Sequence, residues 1–150
     1  MAKNLDPHRR DLANYPFVIE VPTRFQDLDT LKHINNVAIA GLYEESRLQF
    51  HRETFREYRR SLKEKPKLRT VLADIHINYL REAHYPYPIT IGVGVGRVGN
   101  SSYTLHCAMF QKDECIGLSE AVIVFAQPGK PEPIPETVKT ILQDNVVKLG

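Results

Sequence analysis

The chain has 150 residues, of which 42% are hydrophobic and 25% charged, with a formal net charge of +2. That length can bury a core without covalent staples and suits one domain over residues 1–150, while the small net charge offers no electrostatic footprint for nucleic acid. Cys107 and Cys115 form neither a disulfide framework nor a zinc-ligand cluster, and no apolar run reads as a signal peptide or a membrane span, so a cytoplasmic protein without membrane contact is expected.

The first element is a strand. In FVIEVPTRF, residues 17–25, Phe17, Ile19, Val21, Thr23 and Phe25 share one face and Glu20 and Arg24 the other. From about Asn35 to Arg60 there is no proline and one glycine, with charges at helical spacing, which predicts a long helix. Leu48, Phe55 and Leu62, with Tyr58 between the last two, form its expected apolar stripe, and Lys65-Pro66 its stop. VLADIHINY alternates again, with Val71, Ala73, Ile75, Ile77 and Tyr79 opposed to Asp74, His76 and Asn78. ITIGVGVGR places Ile89, Ile91, Val93 and Val95 against Thr90, Gly92, Gly94 and Gly96, a bare face that would let a long helix or another backbone come close. SSYTLHCAMF and AVIVF are two further strands, and the short GN and KDE stretches suit antiparallel hairpins. A Pro-rich connector then leads to a tail helix with Pro135 at its first position and Val138, Ile141, Leu142 and Val146 on one face. One long helix beside a run of strands, without strand–helix alternation, gives an α+β class.

Two motifs match by letter and fail by context. GVGRVG, residues 94–99, has dinucleotide-fingerprint spacing, but a strand follows where the pyrophosphate needs a helix N-terminus. GLSEA, residues 117–121, resembles a nucleophile elbow, yet it runs into β-branched residues rather than a sharp turn into a helix, so Ser119 reads as an ordinary strand residue. The run from His51 to Arg69 carries eight Lys or Arg against three acids; it reads as a solvated helix face or as a contact for an anionic partner.

The densest chemistry lies in RFQDLDTLKHINN, residues 24–36, where an extended segment turns into the long helix. Asp27 and Asp29 alternate, so one can face a cleft while the other caps or pairs with Arg24. His33, Asn35 and Asn36 lie at the helix start, whose unpaired N–H groups favour an anion. A carboxylate beside oxyanion donors is what acyl-transfer hydrolysis requires, although Asp and Asn also gather at helix caps for structural reasons.

The segment RFQDLDTLKHINNVAIAGLYEESR resembles the hallmark of hotdog-fold thioesterases of the 4-hydroxybenzoyl-CoA thioesterase type, with Arg24, Asp27, Asp29, His33, Asn35, Asn36, Glu45 and Arg47 in register. The likeness continues through INYLREAHYPYPITI, GNSSYTLHCAMF and PEPIPETV. It implies an antiparallel sheet wrapped around a long central helix, a site formed across a dimer interface, and often a tetramer. It implies Asp29 as catalytic carboxylate, acting as base or nucleophile, and the Asn36 backbone N–H as oxyanion donor. His33 and Asn35 would position the acyl group or water, and Arg97, Ser101 and Ser102 are the further candidate substrate-binding residues. Three positions depart from the pattern: Lys32 stands at a usual Gly, so the turn before His33 is expected to be reshaped; Ile39 replaces a common Tyr; and Tyr87 stands near a common Asp. The resulting expectation is an acyl-CoA thioesterase, homodimeric or homotetrameric, without metal or organic cofactor. The alternatives are an acyl-acyl-carrier-protein thioesterase docking its carrier on residues 52–69, and a non-catalytic acyl-CoA-binding module.

Overall fold

A computed structural model of the chain describes residues 6–64, 69–127 and 129–148. Six strands make one antiparallel sheet: β1 (Phe17–Val21), β2 (Arg69–Tyr79), β3 (Ile89–Val98), β4 (Ser102–Gln111), β5 (Glu114–Gln127) and the short β6 (Lys130–Pro131). The spatial order is β1-β3-β4-β5-β2, with β6 also on β5. Helix α1 (Asn36–Thr54) lies against the sheet, followed by α2 (Arg56–Ser61) and, near the C-terminus, α3 (Glu136–Gln143). This is the α+β arrangement expected from the element order. Among the described residues no helix is long and apolar enough to cross a membrane.

Sheet and helix share one core. Ile91, Val93 and Val95 of β3 and Leu105, Cys107 and Met109 of β4 pack with Tyr43 and Phe50 of α1, all at most 1% exposed. Phe17 of β1 meets Phe50 edge to face, with centroids 5.8 Å apart. Burying each such Val or Ile stabilises by about 1.5–3 kcal/mol, and a glycine offers nothing comparable. The helix therefore takes the Ile/Val face of β3, and of the two occupants expected for the glycine face, a long helix or another backbone, the second is the one that comes close. That face is covered by the chain's own ends. A Cβ at Gly92 would lie 2.7 Å from the Tyr15 ring; one at Gly94 would lie 2.5 Å from Val147 and 2.8 Å from Pro16. Tyr15 and Val147 close a second, smaller core over Ala108, Phe110 and Leu118. Residues 145–147 also extend the hydrogen bonding of β3 beyond β1: Val95 donates to Asn145, and Val147 donates to Val95.

Several boundaries differ from the periodicity. The first strand stops at Val21, and Phe25–Asp27 form a 3-10 turn instead of its continuation. The long helix breaks at Phe55 (φ −102°, ψ 12°), and its core stripe is Ile39, Tyr43, Ser46, Arg47 and Phe50. Leu48 lies about 160° around the helix from Phe50 and is exposed. The proposed stop at Lys65-Pro66 lies outside the described residues. Strand β5 begins seven residues before AVIVF and carries Ser119 as an ordinary strand residue; β3 runs into a hairpin at Gly99, not into a helix. Pro135 caps α3 rather than opening it, and Val146 falls past its end, exposed. At the KDE hairpin Lys112 and Asp113 both have positive φ, as a tight two-residue turn requires.

Replacing Gly94 by Ala should lower stability by about 1–3 kcal/mol, because its neighbours include ring and backbone atoms that yield little. Chemical denaturation measures this; unchanged stability would mean that the tail does not pack where described.

Candidate active site

The loop between β1 and α1 is closed by a ladder of backbone bonds. The Asp27 N–H donates to the Arg24 carbonyl (2.9 Å), Asn35 N–H to the Asp27 carbonyl (2.8 Å), and Asp29 N–H to the His33 carbonyl (2.9 Å). Leu28 and Ile34 form an antiparallel bridge, and the Ile34 N–H reaches the Ala83 carbonyl (2.9 Å), tying the loop to the segment after β2. Lys32 takes φ 65°, the left-handed conformation glycine favours. Its N–H donates to the Asp29 carbonyl (3.0 Å).

The two aspartates part company here through the 3-10 turn rather than through strand alternation. Asp27 is buried and accepts both Arg24 Nε (3.2 Å) and Nη2 (2.9 Å). Arg24 itself is held protonated above its ordinary range by that carboxylate. Asp29 is exposed. Its Oδ1 accepts the N–H groups of Leu31 (2.8 Å) and His33 (3.2 Å), while Oδ2 has no hydrogen-bond partner among the described residues. One oxygen is fixed by the turn and the other is left available.

At the helix start, Asn35 Oδ1 accepts the Ala38 N–H (2.8 Å) and the Asn35 carbonyl accepts that of Ile39 (3.1 Å). The N–H groups of Asn36 and Val37 remain without a partner among the described residues, as the first turn of a helix leaves them. Asp29, His33 and Asn36 line one cleft of about 410 Å³, floored by Ile39, Tyr43, Met109 and Gly117 and walled by Tyr79 to Ala83. That volume suits a small-molecule site. His33 Nε2 lies 3.1 Å from Glu82 Oε2, and its ring meets His84 edge to face.

Asn35 serves as the cap and does not line the cleft. Arg97, Ser101 and Ser102 lie at the β3–β4 hairpin, at the other end of the sheet; six strand residues lie between Ser102 and Met109, roughly 20 Å. Within one chain they are not brought to Asp29. Tyr87 lies outside the cleft, its ring under Lys112 Nζ at 3.5 Å. Glu45 is exposed and accepts Gln49 Nε2 (2.8 Å), whereas Arg47 is buried with Nη1 unpartnered. Within the basic run Arg52 and Arg56 pair with Glu53, Arg60 pairs with Glu57, and Arg59 caps the carbonyls of His51 and Arg52, while Lys65 and Lys67 lie outside the described residues. Tyr43 and Glu82 belong to the cleft without having been singled out in the sequence. Tyr43 shares a helix face with Asn36, seven residues away, which periodicity can reveal; Glu82 has no local signal, because only the fold brings it to His33.

A family model described as the thioesterase-like superfamily matches residues 23–142. The chain belongs to that superfamily. It is 29% identical over 100 residues to the uncharacterized protein YsmA of Bacillus subtilis, a match covering 67% of this chain and 65% of YsmA, so the chain spans just under two thirds of that curated relative. Among solved structures, a predicted thioesterase from Bacillus stearothermophilus is 25% identical, with TM-score 0.77, over 89% of this chain and 98% of that one. A thioesterase from Thermus thermophilus, solved with coenzyme A and Zn, is 24% identical, with TM-score 0.75, over 87% and 95%. The fold of this thioesterase-like chain is the hotdog fold, a curled antiparallel sheet packed on one long helix.

Asp27→Asn should lower the melting temperature, because it weakens the fork that holds Arg24 and the loop, while most turnover remains. Melting curves and steady-state rates read the two effects separately; a stable but inactive variant would make Asp27 the working carboxylate.

Proposed function

We propose that the protein hydrolyses acyl-CoA thioesters in the Asp29–Asn36 cleft. The observation that carries this reading is the Asp29 carboxylate, pinned through Oδ1 and unpartnered at Oδ2, beside the unpartnered N–H at the start of α1. Superfamily membership supports it, and the coenzyme A bound by the Thermus protein supports a CoA ester as substrate.

In this mechanism Asp29 Oδ2 takes a proton from water as the water oxygen attacks the thioester carbonyl. The carbonyl oxygen becomes an oxyanion held by the Asn36 N–H, and a helix N-terminus favours that charge. Collapse re-forms the carbonyl and expels CoA thiolate, which recovers the proton from Asp29. The same oxygen is the reacting atom if Asp29 attacks the carbonyl directly, with water then hydrolysing the acyl–aspartyl anhydride. His33, oriented by Glu82, positions the acyl group or the water.

Asp29→Asn keeps size and polarity but cannot take a proton or attack. Turnover measured by thiol release should fall on the order of a hundredfold or more. Binding of a non-hydrolysable acyl-CoA, measured by calorimetry, should largely survive. A fully active Asp29→Asn enzyme would exclude the mechanism.

The active form is proposed to be at least a homodimer joined along β2. That strand is an edge of the sheet, and Val71, Leu72, Ile75 and Tyr79 are each 39–51% exposed. An unpaired edge of this length invites another strand. Antiparallel pairing of two β2 edges would set the Tyr79 end, which lines the cleft, beside the Arg69–Thr70 end of the second copy. There Thr70 pairs with Phe125, whose N–H donates to Ser101 (2.8 Å). The second copy's hairpin, with Arg97, Ser101 and Ser102, would thus approach Asp29. Light scattering should give a dimer or tetramer at micromolar concentration, and Ile75→Lys should both dissociate it and depress turnover. A clean, active monomer would contradict the shared site.

A further inference from the structure

Tyr43 lies on the floor of the cleft and is 0% exposed, yet its hydroxyl has no hydrogen-bond partner among the described residues. A buried, unpaired hydroxyl is costly, and such groups are usually satisfied. The fold makes room for this one. The phenol tip rests against Gly117 of β5, where an added Cβ would lie 2.7 Å from Oη, so any larger residue at 117 would displace it. Nearby, the Asn78 carbonyl does not bond it. Burial pushes the Tyr43 pKa well above the usual phenol range, so the group stays protonated and able to donate.

Tyr43 lies seven residues beyond Asn36 on α1, about 10 Å along the axis, and its side chain leans back toward the helix N-terminus. A substrate whose thioester carbonyl sits at the Asn36 N–H has Ile39 and Tyr43 within reach of its acyl group, since both line the same cleft.

We propose that Tyr43 is a specificity residue whose hydroxyl donates to an oxygen carried by the acyl group, selecting hydroxy- or oxo-acyl thioesters over their plain alkyl counterparts. This rests on the thioesterase reading of the same cleft. An alkyl chain would leave the Tyr43 hydroxyl unpaired, whereas an acceptor a few bonds beyond the carbonyl satisfies it. Sites that use a buried polar group in this way discriminate strongly against ligands lacking the partner.

The test uses S-alkyl-CoA thioethers, which cannot be hydrolysed, in a series that moves one oxo or hydroxyl oxygen along the chain beside the plain alkyl analogue. Calorimetry with the wild-type protein should find one position bound about tenfold tighter than the alkyl analogue, and Tyr43→Phe should abolish that preference. With the matching thioesters, the ratio of kcat/KM between oxygenated and alkyl substrates should fall by a similar factor. Tyr43→Phe should melt no lower than wild type, because it removes an unpaired polar atom. No preferred position in the wild type, a preference that survives in Tyr43→Phe, or a markedly lower melting temperature would overturn the assignment. Oxygen-selective binding without turnover of any thioester would overturn hydrolysis and keep the Tyr43 contact; no binding of any analogue would overturn both.

Discussion

The hydrogen bond from the Asn35 N–H to the Asp27 carbonyl sets the start of α1 against the loop that carries Asp29. Between β1 and α1 the chain must reverse, present a carboxylate and start a helix within fourteen residues, 22–35. Asp27 makes this possible by using two parts of itself: its carboxylate is clamped by Arg24, and its carbonyl receives the residue that caps α1. With both ends of the loop held, the turn from Asp29 to His33 closes with Lys32 in a left-handed conformation. Such a conformation disfavours a residue with a Cβ by about 1–2 kcal/mol, and it persists where surrounding bonds over-determine it. The Asp29 carboxylate inherits its orientation from that closure.

The sheet supplies the rest of the site by having two different faces. On β3 the Ile and Val side chains hold α1, while the glycines admit the N-terminal segment and the tail at close range. Tyr15, Pro16 and Val147 are thereby spent on covering the outer face. The N-terminus of α1 points into a cleft open to solvent near Tyr79, at the end of the unpaired edge strand. In the proposed reading the substrate lies between helix start and sheet edge, and the second chain pairs with that edge.

Much of this was legible in the residues themselves. Alternation in FVIEV and ITIGVGVGR marked strands correctly, the first half-buried and the second covered on both faces, and the uninterrupted run after Asn35 marked the helix, because both depend on local periodicity. The pairing of Asp27 with Arg24 was legible too, since three positions separate them. Other features depend on what packs where. Leu48 looks like a core residue by spacing from Phe55, but the break at Phe55 and the sheet's position turn it outward. The glycine face of β3 announced close packing without saying what would fill it. Strand β2 alternates as though half-buried, yet it is the sheet's exposed edge, and strand order is not written locally. Glu82, and the separation of Arg97, Ser101 and Ser102 from Asp29, likewise emerge only once the fold has brought distant segments together.

The central claim is that Asp29 and the start of α1 form a centre for thioester hydrolysis. The most direct measurement is thiol release by the wild-type protein across a panel of alkyl, aryl and oxygenated acyl-CoA esters. Saturable release from at least one ester, well above the rate in buffer, is the predicted result. Release at the buffer rate from every ester, with coenzyme A still bound, would contradict it and leave the cleft as a binding site alone.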